Sequence, residues 1–219
     1  MRMTRALIAA LALVAVLPQL GTAQMGRSFK DAWFWGAKGG GMDYNSSTMT
    51  HQQAPLVGAE WLITRNRGGL YVSFSQAFFT DQAGIMLEGD TAVHMVNLKN
   101  MRRVDVAGMV FPGATVYTQP YVGIGVSLKQ INNADLANPS SLSSPDQRAA
   151  AQGFIMTLRT AASPYFIAGA QLRLPMFSFF VQGTASPANK NMFLYNGKAF
   201  HLTYEAGLRY NVGSSIDKN

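Results

Sequence analysis

The stretch HLTYEAGLRYNV, from His201 to Val212, separates into two lists when every second residue is read. One list is apolar: Leu202, Tyr204, Ala206, Leu208, Tyr210 and Val212. The other is polar or small: His201, Thr203, Glu205, Gly207, Arg209 and Asn211. A strict period of two over this length predicts a β-strand with two unlike faces. The fold then depends on which of the two faces meets water.

The N-terminus has the pattern of a secretory signal peptide. Arginines precede an apolar run over residues 6–17, and small residues precede Gln24. The run is far shorter than the roughly 20 residues that a membrane-spanning helix needs, so a short anchor helix is the weaker interpretation. We predict a signal peptide over residues 1–23 and one exported domain over residues 24–219. The absence of cysteine excludes disulfide bonds and lipoprotein processing at the cleavage site.

The chain is basic, with a formal net charge of +7. Its basic residues are scattered singly through alternating segments and form no run like a nucleic-acid-binding arm. After the N-terminus no apolar run is long enough for a membrane-spanning helix. The sequence therefore argues against a nucleic-acid partner and against a helical membrane domain.

Eight segments alternate between apolar and polar residues and predict eight strands. Their bounds are 32–42, 54–64, 70–79, 102–111, 115–130, 152–174, 176–184 and 200–212. The segment from Gln152 to Leu174 is long and contains Pro164. It is either one strand with a bulge at Ser163 and Pro164 or two strands with a turn there.

The connections between these strands alternate in length. Short turns rich in Gly and Pro lie at 64–69, 111–114 and 173–176, and longer polar links lie at 45–53, 80–101, 132–151 and 186–199. Outer-membrane barrels have short periplasmic turns, long extracellular loops and an even number of strands. A secreted lipocalin-type barrel also has eight up-and-down strands, but nothing requires its loops to sort in this way.

The composition of the two faces favours lipid on the outside and a polar interior. The face that alternation places inward carries charges on several strands, too many for an apolar ligand pocket: Lys38, Glu60, Arg103, Asp105, Lys129, Arg159, Arg173, Glu205 and Arg209. Aromatic residues gather near strand ends, as in the girdles of outer-membrane barrels: Trp33, Trp35, Trp61, Tyr71, Phe78, Phe79, Phe177, Phe200 and Tyr210. We predict an all-β, eight-stranded antiparallel up-and-down transmembrane β-barrel whose apolar face meets lipid.

Two stretches of sequence point to a family: TQPYVGIGVSL, from Thr118 to Leu128, and EAGLRYNV near the C-terminus. Both resemble the small outer-membrane β-barrels of the outer membrane protein A-like family. The resemblance implies an eight-stranded barrel and a β-signal that the barrel-assembly machinery reads during insertion. The β-signal positions are Glu205, Gly207, Tyr210 and Val212. Many family members end on the aromatic residue of this signal, whereas GSSIDKN follows here.

An eight-stranded barrel encloses a lumen that side chains fill, so a large aqueous pore is not expected. Inward charges in such a space must pair, because an isolated buried ion is costly. We predict a lumen charge network formed by Lys38, Glu60, Arg103, Asp105, Glu205 and Arg209. Ring closure makes the first and last strands neighbours, which places Lys38 between Glu60 and Glu205. The network is interpreted either as structural neutralisation of charge or as a small gated conduction path.

The histidines give little support to an enzyme. His51 and His94 fall in two outer loops and His201 in the last strand, and no spacing ties them to a nucleophile and an orienting acid. No residues have metal-ligand spacing and no phosphate-binding motif occurs. We predict no catalytic residues, no metal and no cofactor.

The sequence therefore predicts an integral protein of the bacterial outer membrane with a structural or interaction role for its polar loops. A small passive pore is the second hypothesis and a lipid-modifying enzyme the third. Expected partners are outer-membrane lipids and lipopolysaccharide and, during insertion, the barrel-assembly machinery. A monomer is expected. The loop NNADLANPSSLSSPDQ is rich in Ser, Pro and Asn and is expected to be mobile.

Overall fold

The computed structural model describes residues 29–48, 51–87, 92–112, 117–142, 144–195 and 200–214. Eight antiparallel strands form one closed barrel in chain order, with the last strand paired to the first. The strands are β1 (Ala32–Tyr44), β2 (Gln52–Arg65), β3 (Gly68–Met86), β4 (Val93–Val110), β5 (Thr118–Leu136), β6 (Thr160–Arg173), β7 (Phe177–Pro187) and β8 (Phe200–Ser214). The predicted fold class and strand number are confirmed. The predicted signal peptide lies outside the described residues.

The two ends of the barrel differ in the length of their connections. At the end here called the turn end, β2 meets β3 through Asn66 and Arg67, and β6 meets β7 through residues 174–176. Asn66 has a φ of 53°, a left-handed conformation that asparagine tolerates in tight turns. The other end, here called the loop end, carries the two longest connections, residues 137–159 between β5 and β6 and residues 188–199 between β7 and β8. The predicted alternation holds only in part, because the β4–β5 connection at the turn end, residues 111–117, is as long as the β1–β2 connection and longer than the β3–β4 connection.

The segment from Gln152 to Leu174 is where the strand prediction is partly wrong. An α-helix, α1 (Pro145–Leu158), occupies its first part, and β6 begins only at Thr160. Ser144 caps the helix through a capping box with Gln147, with proline in the first turn. The predicted polar link 132–151 therefore ends in a capped helix. Among the described residues, no helix is long and apolar enough to span a membrane.

Pro164 neither bulges nor breaks β6. The strand continues through it, and Pro164 lies opposite Val126 of β5. Pairing of β6 with β7 begins only at Phe166, so at Pro164 the strand has a single neighbour. Proline lacks the N–H that a second neighbour would require, and a strand position with one open side accommodates it. The segment is thus one strand after a helix.

Three strands run past their neighbours at the loop end. Pairing of β2 with β3 stops at Ala77, and pairing of β5 with β6 stops at Gln130, but β3, β4 and β5 remain paired beyond these points. We call this extension, residues 80–86, 93–99 and 131–136, the blade. Much of the predicted loop 80–101, and the first part of the predicted loop 132–151 up to Leu136, is therefore sheet. Inward polar residues (Asp81 and His94) and outward apolar residues (Met86 and Val93) break the period of two in this part of the sequence.

Side chains bonded to backbone cover the edges of the blade. The Thr48 hydroxyl donates to the carbonyl oxygen of Gln82 on β3 at 2.6 Å. On the opposite edge, the Arg159 guanidinium donates to the carbonyl oxygen of Ile131 on β5 at 3.2 Å. Open strand edges pair readily with other chains, and such contacts limit that hazard.

The outer surface of the barrel is apolar, as the period of two predicts. Ile124 is 61% exposed, Val126 is 56% exposed and Phe179 is 53% exposed, although all are large hydrophobic residues. On β8 the polar list of the opening stretch is turned inward and the apolar list outward. An apolar exterior around a polar centre is the arrangement of a barrel surrounded by lipid.

Two aromatic residues expected in the girdles point inward. Tyr71 is fully buried and Phe79 is 8% exposed. Tyr71 shares the face of Ser73, so alternation already turned it inward. Phe79 lies at an irregularity of register between Ala77 and Thr80. Trp33, Trp35 and Trp61 do form an outward cluster, with Trp35 and Trp61 stacked at a centroid distance of 5.8 Å.

Candidate functional site

The barrel interior has three layers. The loop-end cluster is apolar and includes Met42, Leu56, Phe79, Leu98, Ile131, Ile155, Met192, Phe193 and Leu194. The turn-end cluster is also apolar and includes Phe29, Phe34, Leu62, Met109, Phe111, Tyr121 and Ile167. Between them lies the polar layer, with Lys38, Glu60, Ser73, Arg103, Asp105, Gln182, Glu205 and Arg209 buried. The ion pairs of the predicted polar interior are therefore concentrated in the middle of the barrel, while further buried polar residues such as Lys129 and His201 lie nearer the loop end.

Glu205 of β8 is the centre of the polar layer. Its carboxylate accepts hydrogen bonds from the Lys38 ammonium at 2.8 Å and from the Arg103 guanidinium at 2.6 Å. The side-chain amide of Gln182 donates a further bond at 2.7 Å. Arg103 also approaches Asp105 on its own strand, at 2.9 Å. One carboxylate therefore joins cations from β1 and β4, which lie on different sides of the lumen.

Arg209 of β8 forms the second centre. It is fully buried, and its guanidinium pairs with Glu60 of β2 and donates to Gln171 at 2.6 Å. The guanidinium also lies 4.0 Å from the ring centroid of Phe180, a cation–π distance. These contacts compensate a charge that would otherwise be costly to bury.

Gly36 makes the pairing of Arg209 with Glu60 geometrically feasible. In the sheet Gly36 lies directly between the two residues, paired with Glu60 on one side and Arg209 on the other. A Cβ atom at Gly36 would lie 2.9 Å from the Glu60 Cγ and 3.0 Å from the carbonyl oxygen of Leu208. The absent side chain therefore leaves room for an ion pair across an intervening strand.

Tyr71 connects the two centres. Its hydroxyl donates to the Glu60 carboxylate at 3.0 Å and accepts from the Lys38 ammonium at 3.0 Å. Glu60 is bound to Arg209, and Lys38 to Glu205. The polar layer is therefore one continuous network across the lumen.

A segment of the β7–β8 connection, residues 189–195, folds into the loop end of the barrel, and we call it the mouth segment. Leu194 is fully buried, and its carbonyl oxygen accepts from His201 Nε2 at 2.6 Å. His201 Nδ1 lies 3.3 Å from the ammonium of Lys129, which also donates to Ser186. An imidazole that donates through Nε2 and accepts through Nδ1 is neutral. His201 therefore links the mouth segment to the barrel wall.

Replacing His201 with alanine is expected to loosen the mouth segment. The Leu194 carbonyl would lose its donor and Lys129 an acceptor, and a buried polar group without a partner is costly. We expect the amides of Met192 and Phe193 to exchange with deuterium about tenfold faster, which corresponds to roughly 1.4 kcal/mol of local opening. Hydrogen exchange with mass spectrometry measures this. His94→Ala is the control, and equal exchange in both variants would contradict the role of His201.

Comparison with known proteins bears on the fold. No family model matches the chain, and no curated protein matches it. The solved structure of Ail, the attachment invasion locus protein of Yersinia pestis, is similar over 84% of this chain and 99% of its own, with 11% identity and a TM-score of 0.50. Neisserial surface protein A is similar over 81% of this chain and 96% of its own, with 10% identity and a TM-score of 0.52. The chain has the fold of the small outer-membrane β-barrels. At these identities the likeness extends to the fold alone.

This outer-membrane barrel fold brings the six predicted network residues into the polar layer, but with a different pairing. Lys38 contacts Glu205 directly and reaches Glu60 only through Tyr71. Arg209 is the direct partner of Glu60. The prediction did not include Tyr71, Gln171 and Gln182 as members. Alternation along their strands was the available signal, because it turns all three residues toward the lumen, as it does the network residues.

The two other arginines assigned to the inward face, Arg159 and Arg173, have different outcomes. Arg159 follows α1 and donates to backbone carbonyls of Ile131 and Asn132 at the blade edge. Arg173 lies at the end of β6 with its guanidinium 5.3 Å from the ring centroid of Phe29. The assignment of Arg159 failed because regular alternation does not extend into a helix terminus. Arg173 keeps the inward face predicted for it, since it is half-buried, is paired with the buried Ser178 and contacts a ring of the turn-end cluster.

The β-signal residues fall on both faces of β8. Glu205 points into the polar layer, whereas Tyr210 and Val212 are 37% and 47% exposed on the outside. At Gly207, an added Cβ would lie 2.2 Å from the carbonyl oxygen of Ala37 on β1. A glycine here lets β8 approach β1 closely at the closure of the barrel. Recognition of this strand by the barrel-assembly machinery stays a prediction.

The three histidines lie in three different settings. His51 Nδ1 is 3.5 Å from Asp43 at the surface, His94 Nδ1 is 3.3 Å from the Ser141 hydroxyl, and His201 is in the interior. The Ser141 hydroxyl already donates to the carbonyl oxygen of Asn138 at 2.8 Å, so His94 does not take its proton. Across the described ranges, no group of three or more potential metal ligands occurs.

Proposed function

We propose that this protein is an integral protein of the bacterial outer membrane whose barrel holds a structural or interaction surface at the cell exterior. The observation that carries the proposal is the exposed apolar outer face around a centre of buried ion pairs. Short turns and both barrel termini lie at the turn end, which would face the periplasm, as in outer-membrane barrels. The loop end would then face outward, with membrane lipids and lipopolysaccharide around the wall.

The layered interior favours this role over a passive pore. An ion path would have to pass the loop-end cluster, the polar layer and the turn-end cluster in turn. In the polar layer the cations and carboxylates bind each other, and at both ends apolar side chains from several strands meet. Opening such a path would require movement of the mouth segment and of the aromatic residues of the turn-end cluster. The passive pore is therefore the second hypothesis, and the contacts of the histidines leave the lipid-modifying enzyme third.

Membrane integration has a direct test. We expect the protein to remain with outer membranes after urea washes and to dissolve only with detergent. We also expect unboiled samples to migrate differently from boiled ones on a denaturing gel, because a closed antiparallel barrel resists detergent unfolding. Recovery as a soluble periplasmic protein without detergent would reject the proposal and favour a lipocalin-like barrel.

Planar-bilayer recording distinguishes the proposed structural or interaction role from the passive-pore hypothesis. The purified barrel should insert without discrete conductance steps, because apolar layers fill both ends of its interior. Conductance steps that become larger when the mouth segment is mutated would instead support the pore hypothesis.

A further inference from the structure

Two basic side chains lie on the outer face of β4, at the loop-end limit of the apolar outer surface, which we call the apolar band. Lys99 and Arg102 are both exposed, although regular alternation would turn residues three apart to opposite faces. Asn100, with a φ of 56°, lies at the register irregularity opposite Phe78 and Phe79. This β-bulge shifts the phase of the strand, so that both long basic side chains face outward.

Neutral hydrogen-bonding residues flank these cations on the adjacent strands. Arg102 is paired with Gln76 and Gln130, and Lys99 with Thr80 and Asn133. We call the six residues Gln76, Thr80, Lys99, Arg102, Gln130 and Asn133 the interfacial patch. The next outward row toward the turn end is apolar: Phe74, Val104 and Leu128, which are 49%, 39% and 48% exposed. The patch thus lies at the boundary between the apolar band and the blade.

The charge of the interfacial patch is not neutralised within the described protein. Neither Lys99 nor Arg102 makes an ion pair with a described residue, whereas the adjacent inward Arg103 contacts both Asp105 and Glu205. None of the paired neighbours is acidic. The nearest outward acid on the flanking strands, Asp135, is paired with Asn97 farther along the blade. The patch therefore offers positive charge and hydrogen-bond donors to a group outside the protein.

We propose that the interfacial patch binds the phosphate groups of a phosphorylated, acylated glycolipid of the outer leaflet, whose acyl chains lie on the apolar band below. Arginine presents a planar fork that matches phosphate oxygens, and lysine adds a compact positive charge. The amides of Gln76 and Gln130 supply neutral donors on either side of the fork. A free phosphate ion would use the charges but not the apolar band, so the occupant is a lipid. This inference rests on the proposed membrane location.

Native mass spectrometry of the full chain in neutral detergent tests the proposal. The probes are diphosphoryl lipid A, dephosphorylated lipid A and inorganic phosphate. We expect retention of diphosphoryl lipid A, and a loss of apparent affinity of about tenfold in the Lys99→Gln, Arg102→Gln double variant, the size expected from two exposed charge contacts. Dephosphorylated lipid A should bind the parent and the double variant equally weakly.

Arg65→Gln with Arg67→Gln is the matched control, because it removes two exposed arginines at the turn end. An equal loss of affinity in this control would overturn the patch as a specific site, and so would unchanged affinity in the double variant. Displacement of the lipid by inorganic phosphate at the same concentration would overturn a lipid as the occupant. If the double variant fails to fold, Arg102→Lys should still weaken binding several-fold, since it keeps the charge and loses the fork.

The experiments distinguish a failure of the interfacial patch from a failure of the proposed function. A protein that resists extraction without detergent but shows no preference for phosphorylated lipid would reject the patch alone. A protein that is soluble without detergent would reject the membrane location and the patch together.

Discussion

Replacing Glu205 with alanine is expected to lower the free energy of unfolding by about 3–5 kcal/mol, the usual effect of removing one partner from a buried ion pair. The variant would leave the Lys38 ammonium without its carboxylate and would remove one of the two carboxylates that contact Arg103. Asp105 would still compensate Arg103, so Lys38 should account for most of the loss. The apolar clusters at both ends restrict access of bulk water to the unpaired ammonium.

Urea unfolding in lipid vesicles, followed by tryptophan fluorescence, measures this effect. Trp33, Trp35 and Trp61 lie on the outer faces of β1 and β2 and report the transfer of these strands out of lipid. The double variant Lys38→Met with Glu205→Met should recover part of the loss, because no uncompensated charge remains at that pair. A coupling energy near zero in this double-mutant cycle would show that Lys38 and Glu205 do not stabilise each other.

Arginine in place of Ile124 should destabilise the barrel by about 2–4 kcal/mol when the barrel is in a bilayer. Ile124 is 61% exposed and lies in the middle of the outward apolar run of β5, between Val122 and Val126. A guanidinium there would be held in hydrocarbon near the bilayer midplane. The decrease in the free energy of unfolding therefore tests whether this face contacts lipid.

The matched control is Gln130→Arg, on the same face of β5 at the boundary of the apolar band. Its cost should fall to about 0–1 kcal/mol, because the penalty for arginine depends on depth in the bilayer. Equal unfolding free energies for Ile124→Arg and the parent in vesicles would contradict a lipid-facing surface. Ser127→Arg acts differently, since Ser127 is fully buried and an arginine there would crowd the lumen.

The strands and the inward charges were predictable because a period of two fixes the face of every residue in a strand. Glu205 and Arg209 followed from the alternation of β8 alone. Their partners did not follow, because pairing depends on register and on the space that Gly36 leaves between Glu60 and Arg209. A one-residue change of register would have turned these residues to the other face.

The helix and the mouth segment were the parts that periodicity could not locate. The start of α1 had a local signal in Ser144, Pro145 and Gln147, but the alternating residues after Thr160 extended the strand prediction backward over the helix. Residues 189–195 have no regular secondary structure, so their burial depends on the shape of the barrel mouth. Contacts such as that of Leu194 with His201 exist only after the barrel has closed.

With the loop end outward, as in the proposed function, the length of the blade determines how far the protein extends from the membrane. From Arg102, at the edge of the apolar band, β4 continues to its first residue, Val93. At about 3.4 Å per residue and a tilt of about 40°, this part of the strand rises roughly 20 Å above the apolar band. The headgroup layer is only about 6 Å thick on each side of a typical bilayer. A large molecule could therefore dock on the tip of the blade without displacing any lipid, with the barrel as a post that raises the contact surface above the membrane.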